Sequence, residues 1–126
     1  MDKLLLDRIM GQVSKPVRYM GNEYNMVEKN PKEVSIRYAF AFPDVYEVGM
    51  SHLGMKILYH LINERLDTYC ERVFAPWVDM EEKMRQADIP LFTLETKTPL
   101  LEFDIVGFTL QYEMSYTNIL SMLDLA

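Results

Sequence analysis

Two polar and aromatic segments carry the residue types that could do chemistry. The first, residues 43–52, follows an alternating apolar run, and the second, residues 111–116, follows a nearly continuous apolar run. In open parallel sheets, ligands bind at the carboxyl ends of the strands, where both segments would lie. We therefore expect the two segments to line one crevice. The candidate cofactor-binding residues are Asp44, Tyr46, Glu47, Gly49, Gln111 and Glu113.

Two carboxylates of the first segment, Asp44 and Glu47, have two interpretations. They could form a pair for proton transfer, but a turn aspartate and a glutamate at a helix start explain them equally well. The segment contains neither G-x-G-x-x-G nor a P-loop, so it does not predict a cradle for a nucleotide pyrophosphate. We assign no catalytic residue and no metal ligand.

Four other side chains could take part in chemistry, and each also has a structural interpretation. His52 lies in the first turn of a predicted helix and could face the crevice, whereas His60 belongs to the helix body; structural roles are favoured for both. Cys70 lies on a predicted strand and is expected to be a buried, inert thiol. Trp77 either lines a pocket or fills the space under a loop, and both interpretations stay open.

Hydrophobic periodicity predicts alternating strands and helices after a loop-rich beginning. We expect a short helix over residues 4–10, extended pieces over 15–20 and 23–27, and strands over 34–42, 68–74, 89–94 and 103–110. Helices are expected from about Met50 to Leu66, from a capping box formed by Asp79 and Glu82 to about Ala87, and from Glu113 or Ser115 onward. The last strand is nearly all apolar, which is typical of a central strand covered on both faces.

This alternation predicts an α/β fold, a Rossmann-like parallel sheet with flanking helices. Residues 1–32 are expected to be an N-terminal extension and residues 33–126 an incomplete α/β domain. The last predicted helix places Tyr116, Ile119, Leu120 and Leu123 on one stripe and reaches Ala126 without a stop signal. We therefore expect the fold to be truncated there and to continue in a larger protein.

Composition excludes several classes of function. The formal net charge of −6 disfavours nucleic acid and anionic lipid as direct partners. The single cysteine cannot form an internal disulfide or a multi-thiolate site, which points to a reducing compartment such as the cytoplasm. No stretch approaches the roughly 20 apolar residues of a membrane span, and no signal peptide is recognisable.

Three motifs, in this order, carry a family resemblance: residues 42–54 (FPDVYEVGMSHLG), 71–77 (ERVFAPW) and 103–113 (FDIVGFTLQYE). The chain resembles the N-terminal region of bacterial radical S-adenosylmethionine (radical SAM) proteins that carry a cobalamin-binding-like domain ahead of the radical barrel. The resemblance implies a downstream barrel, as partner in the same polypeptide, that binds a [4Fe–4S] cluster through a Cys-x3-Cys-x2-Cys motif and cleaves S-adenosylmethionine. With only Cys70, this chain cannot hold that cluster.

The resemblance also makes cobalamin a candidate cofactor. Cobalamin domains that place a histidine below cobalt use Asp-x-His-x-x-Gly after the first strand, and this chain has Asp44-x-Tyr46-x-x-Gly49. A phenol is a poor cobalt ligand compared with an imidazole, so a histidine-on complex is not expected. Two hypotheses stay open with equal weight: an accessory domain that forms part of a cofactor or substrate crevice, and a scaffold with no ligand of its own. An independent flavodoxin-like module is disfavoured because a phosphate loop is absent.

Overall fold

The computed structural model describes residues 1–126 and contains one open sheet of three parallel strands. β1 spans Ile36–Phe42, β2 spans Thr68–Phe74 and β3 spans Ile105–Phe108. β1 lies in the centre, with β2 on one side and β3 on the other. Because helices cover the sheet, the prediction of a Rossmann-like partial parallel sheet with flanking helices is confirmed.

Six α-helices and two short 3-10 turns surround the sheet. The helices are α1 (Lys3–Met10), α2 (Val17–Met20), α3 (Tyr46–Met50), α4 (Leu53–Asn63), α5 (Val78–Gln86) and α6 (Ser115–Leu125), and the turns are Pro31–Glu33 and Leu100–Glu102. Asp2 caps α1 by accepting a hydrogen bond from Leu4 N–H at 3.0 Å. His52 caps α4 through Nδ1, which accepts from Met55 N–H at 3.1 Å. Both caps satisfy N–H groups that have no partner inside the helix.

Each face of the sheet has its own apolar core because side chains alternate along the strands. Face A carries Ala39, Ala41 and Val73, and face B carries Phe40 and Phe74. The helices α1, α5 and α6 pack on face A, and α4 packs on face B. Residues from the first 32 positions belong to the face A core: Leu6, Ile9, Val13 and Tyr19.

The two strand connections have the same handedness. The chain passes from β1 to β2 through α4 on face B, and from β2 across to β3 through α5 on face A. Because these connections run in opposite directions over opposite faces, they share one hand, and nearly all such crossovers are right-handed.

The predicted strand over residues 89–94 does not form. Its only ladder contact is an isolated antiparallel bridge between Phe92 and Pro99. The backbone of this segment is divided among several partners: Leu91 N–H donates to Leu125 O at 2.8 Å, and Leu94 N–H donates to Arg72 O at 2.9 Å. The apolar character of the segment therefore reflects burial in the core and not membership of the sheet.

The predicted strand over residues 103–110 forms only over Ile105–Phe108, and within these 126 residues it lies at an edge of the sheet. β3 is an edge strand, and Ile105 is 46% exposed. The apolar run that is typical of a strand covered on both faces thus lies at an uncovered edge of the sheet.

Three smaller predictions are corrected by local contacts. The segment 15–20, expected to be extended, contains the helix α2. The capping box does not form, because the Asp79 carboxylate accepts hydrogen bonds from Ser14 N–H and Oγ and the N-cap position of α5 is Trp77. The helix expected from about Met50 to Leu66 forms as the shorter α4, which His52 starts, and the separate helix α3 precedes it.

The last helix buries a different stripe from the one expected. Met122 and Leu125 pack into the face A core. Tyr116, Leu120 and Leu123 are 55%, 66% and 51% exposed. The apolar face of α6 that periodicity predicts is therefore uncovered.

Candidate functional site

The loops after β1 and β3 meet at the carboxyl edge of the sheet. The chain leaves β1 toward face B and leaves β3 toward face A, so the two neighbouring strands send their connections to opposite sides. Such a switch point is where open α/β sheets form a crevice. The Asn118 side-chain amide on α6 donates to Pro43 O at 2.8 Å, which ties the first loop to the helix that follows the second.

In the first loop, Asp44 and Tyr46 both make contacts within the domain. Asp44 Oδ1 accepts from Val45 N–H at 2.7 Å, and its carbonyl oxygen accepts from Ala75 N–H at 2.9 Å. The Tyr46 hydroxyl donates to Glu23 Oε1 at 2.8 Å. Burial, reinforced by the Glu23 carboxylate, raises the pKa of Tyr46 to about 12. Tyr46 is therefore a protonated donor at neutral pH, and Asp44 has the geometry of a turn aspartate.

Glu47 and Gly49 are likewise used for local structure. Arg18 Nε donates to both Glu47 carboxylate oxygens at 2.8 and 3.0 Å, a contact that lowers the pKa of Glu47 below its ordinary value. Gly49 is buried against the ring of Phe74, where a Cβ atom would lie 2.0 Å from the nearest ring carbon. Glycine is required here by close packing of α3 on β2.

Gln111 and Glu113 lie in the second loop and are exposed. Gln111 Oε1 accepts a hydrogen bond from Thr109 Oγ1 at 3.1 Å, which is its only side-chain hydrogen bond. The six predicted residues thus fall into two groups. Those of the first loop are tied to β2 and the N-terminal segment, and those of the second are directed to solvent, with no hydrogen bond between the groups.

A buried charge cluster on face B escaped the sequence prediction. Arg72 Nε donates to Glu95 Oε1 at 2.7 Å, and its Nη2 donates to Glu23 Oε2 at 2.9 Å. The guanidinium carbon lies 4.7 Å from the centre of the Tyr59 ring, a cation–π distance. We call Arg72, Glu95, Glu23 and Tyr59 the Arg72 cluster. Burial raises the pKa of Glu23, but Arg72 and the Tyr46 hydroxyl more than offset this, so the net shift is downward.

A cavity of about 130 Å³ opens beside the Arg72 cluster. Arg72 and Glu23 form part of its wall, and Met50 Sδ accepts a hydrogen bond from Arg72 Nη1 at 3.3 Å. Lys56 and His60 lie at the same cavity. Residues of the motifs 42–54 and 71–77 therefore meet here through Met50 and Arg72, at a place that neither motif indicates by itself.

Comparison with protein families matches residues 54–126, more than half of the chain, to the family described as Radical SAM proteins, N-terminal. The chain belongs to this family. No match was found among curated proteins, and none was found among solved structures.

The matched part of this radical SAM N-terminal region contains most of α4 and everything that follows it. Arg72, Glu95, Gln111 and Glu113 lie inside the matched residues, whereas Asp44, Tyr46, Glu47 and Gly49 precede them. The second loop and three members of the Arg72 cluster, Arg72, Glu95 and Tyr59, thus lie in the segment that matches the family, whereas Glu23 precedes it.

A second buried charge lies on face A of the radical SAM N-terminal region. Glu71 is fully buried and accepts hydrogen bonds from Arg37 Nη2 at 2.6 Å, Thr93 Oγ1 at 2.8 Å and both the N–H and the hydroxyl of Thr96. The sequence signal for both clusters was available: Glu71 and Arg72 are adjacent charges in a strand otherwise rich in β-forming residues. Charges in such a strand must be paired when it is buried.

Three further candidates lie outside the two loops and the Arg72 cluster. Cys70 is fully buried, which confirms the expectation of a buried thiol, and burial raises the pKa of this thiol to about 12. His52 is a helix cap. Trp77 is 47% exposed, and the guanidinium carbon of Arg18 lies 5.4 Å from the centre of its ring. No group of three or more His, Cys, Asp or Glu side chains converges as metal ligands. None of the helices combines the length and apolarity needed to span a bilayer.

Proposed function

We propose that this chain is the accessory N-terminal domain of a radical SAM iron–sulfur enzyme and that the carboxyl edge of its sheet forms part of a cofactor or substrate crevice. The [4Fe–4S] cluster and S-adenosylmethionine would be bound by the radical barrel that follows in the same polypeptide. The observation that carries this proposal is the position of the loops after β1 and β3, which flank the switch point between these strands.

The second loop is the better candidate for contact with a ligand. Gln111 and Glu113 are exposed, and Tyr112 between them is 50% exposed. These side chains have almost no role in the stability of the domain itself, so their polar groups are free to pair with a partner. In the first loop, by contrast, the side chains of Tyr46 and Glu47 are already paired.

The residues of the first loop do not form the ligand set that a histidine-on cobalamin complex requires. Tyr46 occupies the position of the histidine, and its hydroxyl donates to Glu23. Its ring packs edge-on against the Phe74 ring, with the ring centres 5.6 Å apart. The same ring occupies the space that a side chain at position 49 would need. We derive no catalytic step through cobalamin. The buried thiol of Cys70 likewise does not fit a cluster ligand, because ligation requires the thiolate.

The crevice proposal is tested in the whole enzyme by the double substitution Gln111→Ala and Glu113→Ala. We expect roughly a tenfold loss of kcat/KM, because one or two polar contacts to a bound group are removed, with an unchanged Tm. The exposed Glu64, at the end of α4, provides the control Glu64→Ala, which should leave both values unchanged. Turnover that survives the double substitution intact would contradict a crevice role for this loop.

The scaffold hypothesis is favoured by a different observation. Tyr46, Glu47 and Gly49 are all engaged within the domain, while apolar residues of α6 are uncovered. The substitution Tyr46→Phe removes only the hydrogen bond to Glu23. If the domain is a scaffold, this change lowers Tm while kcat/KM stays constant and hydroxocobalamin produces no spectral change. A shift in the hydroxocobalamin spectrum on titration would contradict the scaffold hypothesis.

A further inference from the structure

The outer edge of β3 has no partner. Thr109 N–H donates to Ala41 O of β1, and backbone groups alternate in direction along a strand. Val106 and Phe108 therefore direct their N–H and C=O groups away from β1. No side chain hydrogen-bonds to the backbone of Ile105–Phe108. An open edge of this kind is a template for pairing with another strand.

The side chains of β3 are suited to a strand that is covered on both faces. Val106 and Phe108 pack against the face A core. On the other face, Gly107 is in close contact with Tyr38, and Ile105 is 46% exposed. A strand that pairs with this edge must therefore also be apolar on both faces, because it would extend both cores.

The position of α6 indicates which edge of the sheet such a strand would join. α6 packs on face A, the same face as α5. The connection through α5 advances from β2 toward β3, so a right-handed connection through α6 advances in the same direction, beyond β3. A strand placed beyond β2 instead would require a left-handed crossover, and that edge is already closed by Asn63 and Glu95.

We propose that the outer edge of β3 pairs in parallel with a further β-strand, apolar on both faces, supplied by the polypeptide C-terminal to α6 in the radical SAM protein. The same strand would bring cover to the exposed stripe of Tyr116, Leu120 and Leu123. This pairing is independent of whether the domain lines a crevice or acts as a scaffold, so its failure would leave the proposed function intact.

The proposal is tested by comparing Val106→Pro with Val106→Ala in two proteins, the 126-residue chain and the whole enzyme. Proline removes an N–H that points away from β1, so the 126-residue chain should melt at a similar temperature with either substitution. In the whole enzyme, where that N–H would bond to the added strand, Val106→Pro should melt roughly 3–5 °C below Val106→Ala.

Amide hydrogen exchange of the unsubstituted proteins provides the second measurement. We expect the amides of Val106 and Phe108 to be protected about 100-fold more in the whole enzyme than in the 126-residue chain. Loss of folding by Val106→Pro in the whole enzyme alone would also support the pairing. Equal protection in the two proteins at a concentration at which the 126-residue chain is monomeric, a reading frame that ends after α6, or a whole enzyme in which both amides are protected only when it dimerises would overturn the proposal, the last because a second copy would be the occupant.

Discussion

The two edges of the sheet differ, because side chains close the β2 edge and leave the β3 edge open. On β2, every residue is buried, and side chains occupy the outer edge: Asn63 pairs with both the N–H and the C=O of Cys70, and Glu95 Oε2 accepts from Arg72 N–H at 2.8 Å. Lys29 Nζ donates to Thr68 O at 2.7 Å. On β3, no side chain performs this role. Side chains thus replace the missing ladder at the β2 edge, and the β3 edge has no such replacement.

The comparison also explains where the charged clusters lie. Glu71 and Arg72 sit on the edge strand that is sealed from water, where each has several hydrogen-bond partners. Apart from Arg37 and Met50, those partners come from the 93–98 segment and from Glu23, so the charges attach these loops to β2. We expect substitutions at the β2 edge to reduce stability strongly and substitutions at the β3 edge to change association instead.

The largest effect is expected for Glu71→Ala, which leaves the Arg37 guanidinium poorly paired and Thr93 without its acceptor. Breaking one partner of a buried pair costs about 3–5 kcal/mol. Denaturant unfolding followed by circular dichroism measures this loss. The control is Glu82→Ala on α5, an exposed position that should change the free energy of unfolding by less than about 0.5 kcal/mol. Similar losses of unfolding free energy for the two variants would contradict the strong destabilisation expected at β2.

A smaller loss is expected for Asn63→Ala, which removes both bonds that close the β2 edge at Cys70. Leaving these backbone groups unpaired costs about 1–3 kcal/mol. Asn63→Asp keeps an acceptor for Cys70 N–H but sets a carboxylate oxygen against Cys70 O, so at neutral pH it should lower the free energy of unfolding at least as much as Asn63→Ala. If both variants unfold like the native chain, water must replace the side chain at no cost and the edge is not sealed.

The pH dependence of stability should report on the Arg72 cluster. Because the pKa of Glu23 is lowered in the folded chain, Glu23 stabilises the fold above its ordinary pKa of 4.5, and this contribution is lost as the pH falls below that value. Glu23→Gln should therefore unfold more easily than the native chain at pH 7, and the difference should shrink toward pH 3. Thermal melts of both proteins across this range give the comparison. A constant difference would contradict the assigned shift.

The smallest effect on stability is expected for Ile105→Lys at the open edge. The residue is 46% exposed, so the free energy of unfolding should change by no more than about 1 kcal/mol. A lysine on an edge strand opposes pairing with another chain, so self-association of the 126-residue chain should decrease in sedimentation experiments. Leu66→Lys, at a position 93% exposed and distant from β3, is the matched control. Equal self-association of the two variants would show that the 126-residue chain does not associate through β3.

Local patterns were sufficient to predict much of this fold. The bounds of β2 were predicted correctly from its β-forming residues, and α1 and β1 were displaced by one or two residues. The parallel arrangement followed from the alternation of strands and helices. Periodicity failed for residues 89–94, because an apolar run reports burial and does not report whether the backbone joins a ladder.

The candidate site was less accessible to sequence reasoning. Gly49 was assigned to a cofactor loop, yet the need for glycine arises from the Phe74 ring, 25 positions away in the chain. The Arg72 cluster unites Glu23, Arg72 and Glu95, which no local spacing connects. Asp79 matched a capping motif but bonds to Ser14. In each case a long-range contact decides the role of the side chain.

The contrast between the two edges is tested most directly by amide exchange in the 126-residue chain. The amides of Cys70 and Arg72 point outward from β2 and donate to Asn63 and Glu95, whereas those of Val106 and Phe108 point outward from β3. We predict that the first pair exchanges at least about 100-fold more slowly than the second. Equal exchange rates for the two pairs would contradict an edge closed at β2 and open at β3.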